Sequence, residues 1–163
     1  MIILVVIIIA LVAEVIRESF VHLGVSEYTI GDEPTITAVQ ISDLHKRRFG
    51  EQNVDLVKRV EELSPDVIFV TGDLVSRSMT DFSDAVNLLR GLRGVAPVYM
   101  CLGNHEQSLP KKQRESFINS VRSTGVHLLR NQRAQLCVNG RTVNVCGVEF
   151  DYGVYKNQAN GSY

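Results

Sequence analysis

Three short polar clusters in this 163-residue sequence carry side chains suited to metal chemistry: Asp43-Leu44-His45, Gly72-Asp73 and Gly103-Asn104-His105-Glu106. Carboxylate, imidazole and amide oxygen are the donors that hard-to-borderline divalent metals accept. A central carboxylate such as Asp73 can bridge two ions, and two ions together clamp the attacking and leaving oxygens of a phosphoryl transfer. Singly, each cluster has a plainer reading. An Asp after a strand caps a helix or turn, Gly-Asp and Gly-Asn are turn dipeptides, and a loop histidine is solvated. Their shared placement separates them from that background, because each follows an apolar run and they recur about thirty residues apart.

The elements that must position them follow from periodicity. Thr35–Ser42 is a strand rich in β-branched residues, and Val67–Thr71 is a short, continuously apolar strand of the kind covered on both faces. Val98–Leu102 and Val126–Leu129 supply two more strands. Between them, 53–63 carries Val54, Val57, Val60 and Leu63 at helical spacing until Ser64-Pro65 stops it. Asp81–Arg90 is a helix capped by Asp81 or Thr80 and closed near Gly91, and Gln113–Ser123 is another. Strand–helix alternation predicts a mostly parallel sheet with right-handed crossovers, in which ligands bind beyond the carboxyl ends of the strands. Asp43, His45, Asp73, Asn104 and His105 would then share one rim. The tail changes character: Ala134–Val138 and Thr142–Val148 flank Asn139-Gly140, a type I′ hairpin signature.

ISDLH, VTGDLV and LGNHE resemble the first three motifs of the calcineurin-like metallophosphoesterase family. That family's pattern runs Asp-x-His, Gly-Asp-x-x-Asp, Gly-Asn-His-Asp/Glu, a lone His, then Gly-His-x-His. The similarity covers about Tyr28 to Asp151, and GVHLLRN followed by a hairpin and CGVEF is most similar to the membrane-anchored bacterial-type branch. The resemblance implies an α/β, metallophosphoesterase-like β-sandwich with flanking helices, of which the N-terminal βαβαβ half and a hairpin are present. It implies a phosphoester hydrolase with two divalent metal ions (Mn, Fe, Zn or Mg) acting on a small phosphodiester or phosphomonoester. Asp43 and His45 would bind the first metal, Asp73 would bridge both and Asn104 would bind the second. His105 would be catalytic, as proton donor to the leaving group or stabiliser of charge on the phosphoryl oxygens. Glu106 would support the loop.

Two departures stand out. Ser76 occupies the place of the second acid of Gly-Asp-x-x-Asp, which leaves the tuning of His105 open. After His105 the sequence holds one histidine, His127, inside a strand pattern and read as structural, so the late His and Gly-His-x-His are not supplied. The alternative is therefore a truncated, catalytically inactive metal-binding or interaction module. An unrelated α/β domain whose clusters are merely caps and turns is the other rival.

Residues 1–22 form a separate apolar segment ahead of an incomplete metallophosphoesterase domain at 28–163. Met1–Ala13 has no polar side chain, but a span needs roughly 17–25 apolar residues. A membrane anchor whose start is missing, an interfacial helix and a buried helix all fit, and membrane association is the expected localisation, otherwise cytoplasmic. A small phosphoester or lipid-linked phosphate is the expected partner. A net charge of −1 argues against a nucleic-acid footprint, and no Gly-rich nucleotide loop is present. Lys46, Arg47 and Arg48 read as a solvated loop that could meet a phosphate at the rim. Cys101, Cys137 and Cys146 are expected to be buried free thiols.

Overall fold

The computed structural model describes residues 2–20, 23–32 and 36–150. The chain divides into two compact units, Met1–Gly31 and Asp32–Tyr163. In the first, the apolar run forms most of α1 (Ile2–Phe20), on which the side chains from Ile3 to Val12 are exposed. No helix among the described residues is long and apolar enough to cross a membrane.

The second unit is built on four parallel strands in sequential order: β1 (Ala38–Ile41), β2 (Val67–Val70), β3 (Val98–Met100) and β4 (His127–Leu128). Ile41 pairs with Val70 and Val70 with Met100, so the first three strands end level with one another. The expected parallel sheet is therefore present, with each strand shorter than its apolar run. Thr35, at the start of the expected first strand, lies outside the described residues.

Three longer helices connect the strands: α2 (Val54–Glu62), α3 (Ser83–Val95) and α5 (Lys111–Arg122), with a single-turn α4 (Asn104–Gln107) before the last. On α2 the buried stripe is Leu56 and Val60, whereas Val54 is exposed at the helix start, off the stripe expected for it. The expected stop of α3 at Gly91 is incorrect, because the helix runs on to Val95. Gly91 is a packing residue: a Cβ there would lie 2.8 Å from Val57 Cγ2, so its lack of a side chain lets α3 approach α2. The helix opens at Phe82 without a side-chain cap, but Asp81 Oδ1 accepts from the Ser83 amide at 2.9 Å.

Successive residues of β2 serve opposite faces. Val67 and Tyr99 join Leu129, Leu136 and Val138 in a core beneath the hairpin of β5 (Gln132–Val138) and β6 (Arg141–Gly147), while Phe69 packs against it. Ile68, Val70, Val98 and Met100 are buried on the other face, where α3 meets β3. The hairpin turns at Asn139 and Gly140 with φ of 50° and 75°, the double left-handed conformation of a type I′ turn. All three cysteines are free thiols, but the expectation that they are buried fails: Cys137 and Cys146 are exposed and Cys101 is half-buried. In β5 the period-two alternation turns Leu136 and Val138 inward and leaves Cys137 exposed, and in β6 Cys146 is exposed beside buried Gly147. His127 pairs with Tyr99 across β4 and β3, its ring stacked on the tyrosine at 4.8 Å.

Candidate metal centre

The loops leaving β1 and β2 are tied together by backbone hydrogen bonds. The Asp43 amide donates to the Gly72 carbonyl at 3.2 Å and the His45 amide to the Asp73 carbonyl at 2.9 Å. Asp43, His45 and Asp73 have φ of 59°, 53° and 55°, in the left-handed region that non-glycine residues seldom occupy. Backbone outliers of this type cluster at functional sites, where surrounding contacts over-determine them. The loops also touch closely. Gly72 has φ of 100°, and a Cβ on it would collide with the Gly103 backbone, while a Cβ on Gly103 would collide with Asp73.

Glu106 locks this arrangement. Its side chain is fully buried, and Oε2 accepts from the amides of Asp73 at 2.8 Å and Gly103 at 2.9 Å. Oε1 accepts from Val75 at 3.1 Å. One carboxylate thus pins the loops after β2 and β3, the supporting part expected of it. Burial pushes its carboxyl above the ordinary glutamate value, the amides of Val75, Asp73 and Glu106 itself oppose that push only in part, and the Asp73 charge adds to it.

The expected site residues converge on this rim. Ligand atoms of His45, Asp73 and His105 lie within 4.8 Å of one another. Asp43 Oδ1 stands 3.8 Å from His45 Nε2, too far for a hydrogen bond but close enough for two ligands of one ion at about 2.1 Å from each. The His105 amide donates to Asp73 Oδ1 at 2.8 Å, and the His105 ring lies against that of His45 with centroids 4.3 Å apart. The Asn104 amide sits directly on the Asp73 carboxylate, 2.6 and 3.2 Å from its two oxygens. His105 therefore stands inside the donor group rather than apart from it, and Asp43 stands at its edge.

This donor set fits a divalent cation. It combines carboxylate, imidazole and amide oxygen, and the buried Nδ1 atoms of both His45 and His105 have no hydrogen-bond partner among the described residues. The partnerless His105 Nδ1 agrees with the place of the second acid being taken by Ser76, whose amide is turned to Met79 Sδ at 3.2 Å. Sequence reading missed Arg77, whose Nη2 lies 3.0 Å from the Asn104 amide. No spacing rule marks it. Arg48 of the basic trio forms an ion pair with Asp84 of α3. A separate 370 Å³ cleft between the sheet and the hairpin, lined by Phe69, Tyr99, Cys101 and Asn144 among others, includes none of the metal candidates.

Residues 36–159 match the family of calcineurin-like phosphoesterases, and the chain belongs to that family. It is 23% identical over 130 residues to the uncharacterized metallophosphoesterase YkoQ of Bacillus subtilis, covering 78% of this chain and 48% of that protein. It is 28% identical over 110 residues to the phosphodiesterase YaeI of Escherichia coli, covering 66% of this chain and 41% of that one. The crystal structure of the phosphopantetheinyl hydrolase PptH from Mycobacterium tuberculosis superposes with a TM-score of 0.51 at 21% identity, over 78% of this chain and 52% of that one. The fold is thus metallophosphoesterase-like, and the chain spans about half the length of the curated relatives it matches.

Proposed function

We propose that this chain carries the larger share of a two-divalent-metal phosphoester hydrolase site, directed at a small phosphodiester or phosphomonoester. The observation that supports it most is the convergence of His45, Asp73 and His105 within 4.8 Å at the ends of adjacent parallel strands. Asp43 and His45 would hold one ion, Asp73 would bridge, and Asn104 would reach the second. Such ions, when bound, activate a water and neutralise charge on the phosphoryl oxygens. The chain's own part is positional. Glu106 fixes the loop amides, which fix Asp73, and the Asp73 carboxylate in turn accepts from the His105 amide. His105, set at the same rim, would give a proton to the leaving oxygen, a contribution of roughly 10²–10⁴-fold in rate. Among the described residues no partner orients its Nδ1, so substrates with good leaving groups would be favoured.

A metal-binding module without turnover is the second reading: among the described residues the donor group holds two histidines, His45 and His105, while the His127 ring is stacked on Tyr99. The exposed apolar surface of α1 supports attachment to a lipid surface and hence a lipid-linked phosphate as one substrate class.

Calorimetric titration with Mn²⁺, alongside hydrolysis of bis-nitrophenyl phosphate, tests the reading. Saturable binding lost in Asp73→Asn is expected. Absence of any binding at millimolar Mn²⁺ would refute the metal site, and binding without turnover even when a relative's complementary half is joined would leave the module. Co-sedimentation with phospholipid vesicles, lost when residues 1–22 are removed, is expected for the attachment, and equal sedimentation of both forms would refute it.

A further inference from the structure

This inference rests on the metal site proposed above and deepens it. The Asn104 amide has two possible orientations. With its nitrogen toward Asp73 it donates to the carboxylate at 2.6 and 3.2 Å, and its oxygen accepts from Arg77 Nη2 at 3.0 Å. Turned over, as the structure places it, its oxygen faces two carboxylate oxygens and its nitrogen faces the guanidinium, so acceptor meets acceptor and donor meets donor. Without a cation the first orientation is the satisfied one. A cation between Asn104 and Asp73 reverses the preference, because an amide coordinates through oxygen and its NH₂ has no lone pair to offer. The turned amide then presents NH₂ to Arg77, and the guanidinium must leave.

We propose that Arg77 is a positioning residue that holds the Asn104 amide in its non-coordinating orientation, so that the Arg77–Asn104 contact and metal binding by Asn104 exclude one another. Arg77 is exposed, and among the described residues no other hydrogen bond or ion pair restrains it, so it is free to move once the amide turns. Its effect is to weaken the Asn104 metal position in the empty site and to couple loading of that position to release of a guanidinium at the rim.

Arg77 is also a positive charge near a cation site, and its removal could strengthen metal binding by charge alone. A double-mutant cycle separates the two effects. Mn²⁺ affinity is measured by calorimetry for the 163-residue chain, for Arg77→Ala, for Asn104→Ala and for the pair. Arg77→Ala is expected to tighten binding about three- to tenfold, the scale of one lost charge-assisted hydrogen bond at an exposed position. In the Asn104→Ala background the same change is expected to have no effect. An equal gain in both backgrounds would overturn the proposal in favour of simple charge. Unchanged or weaker binding in Arg77→Ala would overturn it while leaving the metal site standing. Absence of Mn²⁺ binding in all forms would remove the site and the proposal together.

Discussion

At the residue scale, the division of labour between Asp73 and His105 is open to direct measurement. Asp73 touches three other residues of the centre: its carbonyl accepts from the His45 amide, its carboxylate accepts from the His105 amide, and Asn104 lies on it. Asp73→Asn should therefore lower Mn²⁺ affinity by about 10- to 100-fold, the scale seen when metal-site ligands or their supports are lost. His105→Ala should leave affinity within about threefold if the histidine is a proton donor. A comparable loss in both would reassign His105 as a ligand, a role its place in the donor group permits. Glu106 offers a second test. Both of its oxygens are needed as acceptors, and a Gln amide supplies only one oxygen, so Glu106→Gln would orphan a buried N–H and destabilise the metal-free fold by about 1–3 kcal/mol. The raised carboxyl has a signed consequence. A folded state that holds the proton more tightly than the unfolded one loses stability as pH rises from the ordinary glutamate value through the raised one. Urea unfolding in chelator at several pH values should show that decline in the wild-type chain and a flatter profile in Glu106→Gln.

At the scale of elements, the contact between α2 and α3 decides how Gly91 behaves. A mid-helix glycine normally gains about 0.5–1 kcal/mol on replacement by Ala. Here the new methyl would meet Val57 Cγ2 at 2.8 Å, so Gly91→Ala should instead destabilise, by about 1–2 kcal/mol. Adding Val57→Ala should recover part of that loss in thermal unfolding, since it vacates the space the methyl needs. If Gly91→Ala stabilises alone, the helices are free to separate. The same contact explains why α3 passes through a glycine that local rules treat as a stop.

At the scale of the molecule, the chain supplies donors from three strand ends and spans about half the length of its matched relatives. The second ion would have only Asp73 and Asn104 from the candidate residues, and metal sites weaken steeply as ligands are removed. Turnover of a nitrophenyl phosphodiester by the chain alone should therefore be little or none with Mn²⁺, while joining residues 36–150 to the complementary half of a family relative should raise it. Robust turnover by the chain alone would show that fewer ligands suffice.

What the sequence determined by itself was the repeating unit: apolar strand, polar cluster, helix. Strand ends are legible because short apolar runs bounded by Gly-Asp or Gly-Asn mark both the burial and the turn, and parallel order then places Asp43, Asp73 and Asn104 at one rim. The type I′ hairpin was equally legible, because positive φ at Asn139 and Gly140 is a local preference of those residue types. Tertiary structure decided whatever depends on a distant neighbour. Gly91 reads as a stop until Val57 lies against it, and Cys137 reads as buried until strand register turns it outward. Arg77 has no local mark at all, because its partner is an amide 27 residues away that only the folding of two loops onto Glu106 brings within reach.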